Sequence, residues 1–214
     1  MIPWRIKKWL SDHQPLIYHL LAHRRPGENS PAHWDAQLES TWDAPYRRWP
    51  TVNAIVAEQV AQDSLLLDVG CGTGSLLREL RVKGYTHIHG LELSPYATRR
   101  LLLEGISVHQ GRIPKLPFPD STFDAVVLSQ VLEHVVRRNL LLSEIRRITK
   151  PGGLCLIFVP DNCQGPIDEP EHVVMFNEET LRTLLSKSFK TEEIRSFRDE
   201  NHKMPYLYAR CRIQ

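Results

Sequence analysis

From residue 51 onward the chain alternates short apolar runs with stretches whose apolar residues recur every three to four positions, the pattern of strands exchanging with helices. TVNAIVAEQVAQ (51–62) reads as a helix, SLLLDV (64–69) as a strand and SLLRELRVK (75–83) as the next helix. The strand HIHGLEL (87–93) follows, and Ser94 and Pro95 then supply an N-cap and a first helical residue for PYATRRLLLE (95–104). ISVH (106–109) and FDAVVLS (123–129) are strands, and NLLLSEIRRITK (139–150) is a helix that stops at Pro151-Gly152-Gly153. GLCLIFVP (153–160), FKTEEIRSF (189–197) and PYLYARCRI (205–213) complete seven strands, with a helix capped by Asn177 after the first of these. The alternation predicts an α/β architecture with a mainly parallel sheet and helices on both faces. The short loop before the final strand predicts an antiparallel pairing there.

The first 50 residues break this pattern. All five tryptophans (Trp4, Trp9, Trp34, Trp42, Trp49) lie in them. WRIKKWL and LIYHLLAHRR read as short amphipathic helices with a basic bias, so residues 1–25 can touch an anionic membrane surface. The favoured expectation is instead that Trp4, Trp9, Leu16, Ile17 and Leu20 pack on the rest of the chain or on a second copy in a homodimer. HWDAQLESTWDAPYRRWP (33–50) has the density of aromatics expected of a lid. The reading therefore divides the chain into an N-terminal helical cap over residues 1–50 and a ligand-binding domain over 51–214.

Composition changes this picture little. Hydrophobic content of 42%, charged content of 24% and a net charge of +2 carry no polyelectrolyte character, so no nucleic-acid partner is expected. Cys71, Cys155, Cys163 and Cys211 are scattered, without a CxxC pair, which suits a reduced compartment. No apolar run approaches the roughly 20 residues that span a bilayer, and the N-terminus lacks a signal-peptide apolar region. A soluble, cytoplasmic protein is expected.

The chemistry concentrates at LLLDVGCGTG (65–74), a strand running into a glycine turn that opens a helix. Gly70, Gly72 and Gly74 let backbone approach a ligand at the carboxyl end of the sheet. Glu92, 22 residues after Gly70 and at the end of the next strand, stands where a carboxylate can accept from two ribose hydroxyls. The turn is GxGxG rather than the dinucleotide GxGxxG, and Asp68 sits two residues before it. A carboxylate there does little for a diphosphate but suits a ligand carrying an ammonium and a sulfonium.

On these residues the chain resembles the class I S-adenosylmethionine-dependent methyltransferases. DVGCGTG (68–74) is similar to their first motif, GLELS (90–94) to the second, LPFPDSTFDAVVLSQVLEHV (116–135) to the central block and RRITKPGG (146–153) to the helix-to-strand turn. HVVMFNEETLRTLLSKSF (172–189) is similar to a late segment of small-molecule members, including the ubiquinone O-methyltransferase-like ones. The resemblance implies a Rossmann-like fold and S-adenosylmethionine as cofactor. It implies that Asp68 and the backbone of Gly70, Cys71, Gly72 and Gly74 hold the methionine end, and that Glu92 takes the ribose. Leu93 and Ile113 would sandwich the adenine, and the backbone around Ser129 would border the sulfonium. Arg47 or Arg48 would pair with the cofactor carboxylate. Where the family pattern often has Gly-Asp, this chain has Gly111-Arg112. Arginine has donors only, so one adenine contact is expected to be lost.

Methyl transfer needs a positioned acceptor, and a base only where the acceptor must lose a proton. His134 and His172 are the candidate catalytic bases. Glu133 with His134, or Glu171 with His172, would hold a metal only if neighbours converged; adjacent residues usually point apart, so no metal is expected. The chain lacks the Asp/Asn-Pro-Pro-aromatic run of adenine amino methyltransferases and the Pro-Cys of cytosine C5 enzymes. A small-molecule acceptor, with a hydroxyl as the target, fits best, and Trp34, Trp42 and Tyr46 either line its pocket or anchor the cap to the core. A cofactor-binding module without catalysis is the alternative, and a nicotinamide oxidoreductase a third reading that the turn spacing disfavours.

Overall fold

The computed structural model describes residues 3–22, 29–165 and 169–214. Two short helices, α1 (Trp4–His13) and α2 (Pro15–Ala22), precede α3 (Pro31–Thr41), a 3-10 turn at Pro45–Arg47 and α4 (Pro50–Gln59). The βα alternation then runs β1 (Leu66–Val69), α5 (Ser75–Val82), β2 (Ile88–Glu92), α6 (Pro95–Leu103), β3 (Val108–Gln110) and β4 (Phe123–Ser129). A second 3-10 turn (Leu132–His134) leads to α7 (Arg138–Ile148), β5 (Thr149–Pro160), α8 (Glu178–Leu185), β6 (Lys190–Arg198) and β7 (Pro205–Arg212).

The seven strands form one sheet in the order β3-β2-β1-β4-β5-β7-β6. β7 inserts between β5 and β6 and runs antiparallel to both, so it alone opposes the sheet direction. The architecture is the expected one. The sequence order reverses between β1 and β4, and a crevice opens at the carboxyl ends of the strands there, where open α/β sheets take ligands.

β1 is buried along its whole length, as a central parallel strand covered on both faces should be. Alternate residues of β4 divide between the two faces. Val126 and Leu128 meet Leu141, Ile145 and Leu181 of α7 and α8. Ala125 and Val127 belong to the opposite layer with Val56, Leu77 and Leu101 of α4, α5 and α6. This layer also takes in Leu38 and Trp42, which fastens α3 to the sheet domain.

Element boundaries move by a few residues, most at one place. The helix expected to end at Lys150 ends at Ile148, and β5 starts at Thr149 and runs through Pro151-Gly152-Gly153. Thr149 pairs with Phe123, and the Gly152 N–H donates to the Ile213 carbonyl at 2.9 Å, so the glycine pair joins the sheet edge as an irregular strand.

Within one chain the N-terminal apolar residues pack only in part. Trp9 and Ile17 are half exposed, as are Ile6 and Leu21, because the two short helices pack chiefly on each other. Leu16 is half-buried, while the side chains of Trp4 and Leu20 lie outside the described residues. No helix among the described residues is long and apolar enough to cross a membrane.

Candidate functional site

At the end of β1 the chain turns through three glycines in left-handed conformation, Gly70 (φ 74°), Gly72 (φ 53°) and Gly74 (φ 75°). A Cβ on Gly70 would lie 2.7 Å from Val131 Cγ2, and one on Gly74 would lie 2.5 Å from Leu101 Cδ2. Side chains there are excluded by both conformation and space. The turn is held against β2 by the Gly70 N–H donating to the Leu91 carbonyl at 2.7 Å.

Glu92 is buried at the end of β2, and its carboxylate accepts from the N–H groups of Gly72 (2.8 Å), Leu93 (2.7 Å) and Ser94 (2.8 Å). These bonds fix the carboxylate beside the glycine turn, as the spacing in sequence anticipates. Burial raises its pKa despite the three donors. Asp68 is buried two residues before the turn, and burial, with Glu92 nearby, raises its carboxyl to about 7. Burial also pushes the Cys71 thiol well up, so Cys71 lines the site as an apolar group and not as a thiolate.

The crevice is part of a cavity of about 920 Å³. Its lining includes every residue expected to meet the cofactor except Gly74, which sits behind the turn against Leu101. Ser129 lines it too, with a buried hydroxyl that has no partner among the described residues. Arg47 lines the cavity and Arg48 points to solvent. The Arg47 guanidinium is oriented by Thr41, its Nε donating to Oγ1 at 2.9 Å. Arg112 lies exposed on the rim. Gln110, whose amide oxygen could stand in for the missing acid, is exposed on β3 and does not line the cavity.

The lid residues divide. Trp34 and Tyr46 line the cavity. Trp42 takes the anchoring alternative: it is buried against α5 and α6, under the guanidinium groups of Arg78 (5.4 Å) and Arg100 (4.6 Å) and edge-on to Tyr96. It anchors α3 to the sheet domain through apolar area and cation–π contact.

His134 and His172 come together, with ring centroids 4.7 Å apart. Two hydrogen bonds between the loops cause this: the Val173 N–H donates to the Glu133 carbonyl at 2.8 Å, and His134 Nδ1 lies 3.2 Å from the Glu171 carbonyl. His172 Nδ1 in turn contacts the Gln164 carbonyl. Burial and the neighbouring His172 push His134 down to about 3, so its ring is neutral at working pH. Glu133 is 1% exposed, neither carboxyl oxygen has a partner among the described residues, and burial raises its pKa to about 8.

The expectation that neighbouring residues point apart fails here, because Glu133 and His134 lie on a 3-10 turn and a loop folds back over them. Glu133, His134 and His172 each place a ligand atom within 4.8 Å of the others. Glu171 faces the other way, its carboxylate 3.0 Å from His33 Nε2 on α3. Sequence reasoning found the two histidines but missed Asp35, which tethers α3 to the start of α6, because that contact joins residues 59 positions apart.

Comparison with known proteins agrees with this geometry. The methyltransferase domain family matches residues 67–157. Sterol 24-C-methyltransferase ERG6B of Gibberella zeae is 39% identical over 97 residues, covering 42% of this chain and 26% of its own. Fatty-acid O-methyltransferase of Mycolicibacterium smegmatis is 29% identical over 151 residues, covering 67% and 53%. A probable tRNA methyltransferase 9B of Mus musculus is 28% identical over 154 residues, covering 70% and 34%. The chain thus spans between about a quarter and a half of the length of these relatives. Among solved structures, the Burkholderia thailandensis 1,6-didemethyltoxoflavin-N1-methyltransferase with its substrate and S-adenosylhomocysteine superposes with a TM-score of 0.67 at 17% identity, over 84% of this chain and 87% of that one.

Proposed function

We propose that this chain, which carries a class I S-adenosylmethionine-dependent methyltransferase domain, methylates a small-molecule acceptor at a hydroxyl oxygen. One observation carries the reading. A single cavity is lined by the glycine turn and Glu92 and also by His134 and His172, with Trp34 and Tyr46 among its walls. It has room for a nucleoside-sized cofactor and a compact acceptor together.

The residues present fit the cofactor. Asp68 would offer a carboxylate to its ammonium, Glu92 keeps lone pairs that would take the ribose hydroxyls, and Leu93 and Ile113 would flank the adenine. Gly70, Cys71 and Gly72 would bring backbone close to the methionine end, with Gly74 shaping the turn behind them, Ser129 would border the sulfonium, and Arg47 would take the carboxylate. When bound, S-adenosylmethionine supplies an electrophilic methyl whose transfer forms an O–C bond, leaves a thioether and releases the hydroxyl proton.

The protein's own share is positioning. Trp34 and Tyr46 exclude water and hold the acceptor, which raises the population of near-attack geometry. His134 and His172 are the receivers for the hydroxyl proton. Burial makes His134 a weak base, so most of the rate comes from proximity. The fatty-acid O-methyltransferase relative supports oxygen as the target, and the absence of a polyelectrolyte surface supports a small acceptor over RNA.

Release of S-adenosylhomocysteine from a panel of hydroxylated small molecules, beside a tRNA control, tests this. Turnover on a hydroxyl acceptor with none on tRNA is expected. Turnover on tRNA alone, or cofactor binding without turnover on any acceptor, would overturn it.

A further inference from the structure

We infer that Glu133, His134 and His172 form a binding site for a divalent transition-metal ion of the zinc class, open toward the acceptor end of the cavity. The inference rests on the proposed hydroxyl methylation for its purpose, but its geometry stands independently.

Three observations converge. The ligand atoms of the three side chains lie within 4.8 Å of one another. Bonds of about 2.1 Å require ligand atoms roughly 3 to 3.5 Å apart, so side-chain rotations of about an ångström close the set. Both histidines turn Nδ1 toward backbone carbonyls, those of Glu171 and Gln164. An Nδ1–H held on a carbonyl fixes the tautomer in which Nε2 carries the lone pair, the orientation that outer-shell carbonyls impose on metal-ligating imidazoles. Finally, both Glu133 oxygens are buried and unpartnered among the described residues. A buried carboxyl is normally hydrogen-bonded, so this one calls for a partner.

Two imidazoles and one carboxylate favour a borderline cation over magnesium, which prefers an all-oxygen shell. Three protein donors leave at least one coordination position, and all three residues line the cavity. That is the layout of a catalytic site and not of a closed structural one. A hydroxyl in the open position would be acidified by the cation and pass its proton to water at the cavity mouth. With the cation bound, Nε2 of both histidines is occupied and Nδ1 faces a carbonyl, so the proton goes to water and not to His134 or His172.

The competing account is a protonated Glu133 packed beside two histidines that merely brace the lid. Titration of tag-free, chelator-treated full chain with Co²⁺, followed by visible absorption, and with Zn²⁺ by calorimetry, separates the two. One equivalent is expected to bind with a ligand-field spectrum of a nitrogen- and oxygen-liganded site. Glu133→Gln and His172→Gln should each weaken it by about 100-fold, while S-adenosylmethionine binding persists as proof of folding. No stoichiometric binding in the wild type, or equal affinity in both variants, would overturn the site. Either result leaves cofactor binding and turnover to be judged on their own, so the methyltransferase reading can fail separately.

Discussion

The Asp35 carboxylate accepts a hydrogen bond from the Ser94 hydroxyl, which itself caps α6 by accepting from the Ala97 N–H at 3.1 Å. Asp35 also accepts from the Tyr96 N–H at 3.0 Å. A carboxylate on the lid helix thus supplements the cap of the helix that follows Glu92, and the N-terminal end of that helix favours negative charge. Asp35 links α3 to the crevice at Glu92, beside the packing of Leu38 and Trp42.

Asp35→Ala should therefore cost about 1 kcal/mol of stability, within the range of a lost helix cap. It should also raise the KM for S-adenosylmethionine more than it lowers kcat. Thermal unfolding and steady-state kinetics measure the two. An unchanged KM would mean that α3 holds its place through Leu38 and Trp42 alone.

Asp68 gives the site a pH dependence whose sign can be worked out. Its folded carboxyl sits at about 7, above the ordinary aspartate value, so the folded state binds the proton more tightly than the unfolded chain. The contribution of Asp68 to the stability of the free protein is then fully present below roughly pH 4 and declines as pH rises through about 7. A cationic cofactor requires the carboxylate, so its binding must expel that proton. Affinity should climb by up to about tenfold per pH unit below 7 and level off above. Calorimetry across this range, in two buffers of different ionisation enthalpy, reads the affinity and the released proton. Asp68→Asn should remove most of the slope; a variant with the full slope would assign it elsewhere.

Much of this was legible in the sequence, for physical reasons that also mark where legibility ended. The sheet, its crevice and the pair Asp68 and Glu92 follow from strand periodicity and a glycine turn, both local signals. For Trp42 the sequence leaves pocket wall and core anchor open, because a tryptophan suits both equally, and only the arrival of Arg78 and Arg100 from other helices decides for the anchor. The convergence of Glu133 with His172 depends on a loop bond from Val173, which has no sequence signature. Trp9 and Ile17 stay half exposed within one chain, as the expectation of contact with a second copy allows.

Glu92→Ala removes a buried acceptor for three backbone N–H groups as well as the proposed ribose contact. S-adenosylmethionine binding should weaken by about 1 to 3 kcal/mol, the cost of bonds to a charged group. Glu92→Gln retains an acceptor oxygen and should lose less. Calorimetry on both variants tests the ordering, and equal losses would point to disruption of the glycine turn as the main effect.

Arg112 raises the remaining question about the adenine end. It lies on the exposed rim of the cavity, one residue after Gly111, whose N–H donates to the Glu92 carbonyl at 2.9 Å, and one before Ile113. The backbone there is thus fixed by β2, and only the side chain departs from the acid common in the family pattern. A guanidinium has no acceptor for an amino group, and its exposure leaves it free to face an anionic acceptor instead. Arg112→Asp should tighten S-adenosylmethionine binding by about 2- to 10-fold, the worth of one added hydrogen bond. If Arg112 also serves the acceptor, the same variant should raise the acceptor KM while the cofactor binds more tightly. Unchanged cofactor affinity would show that the Ile113 backbone and ring cover already satisfy the adenine, and that the lost acid carried no binding energy in this chain.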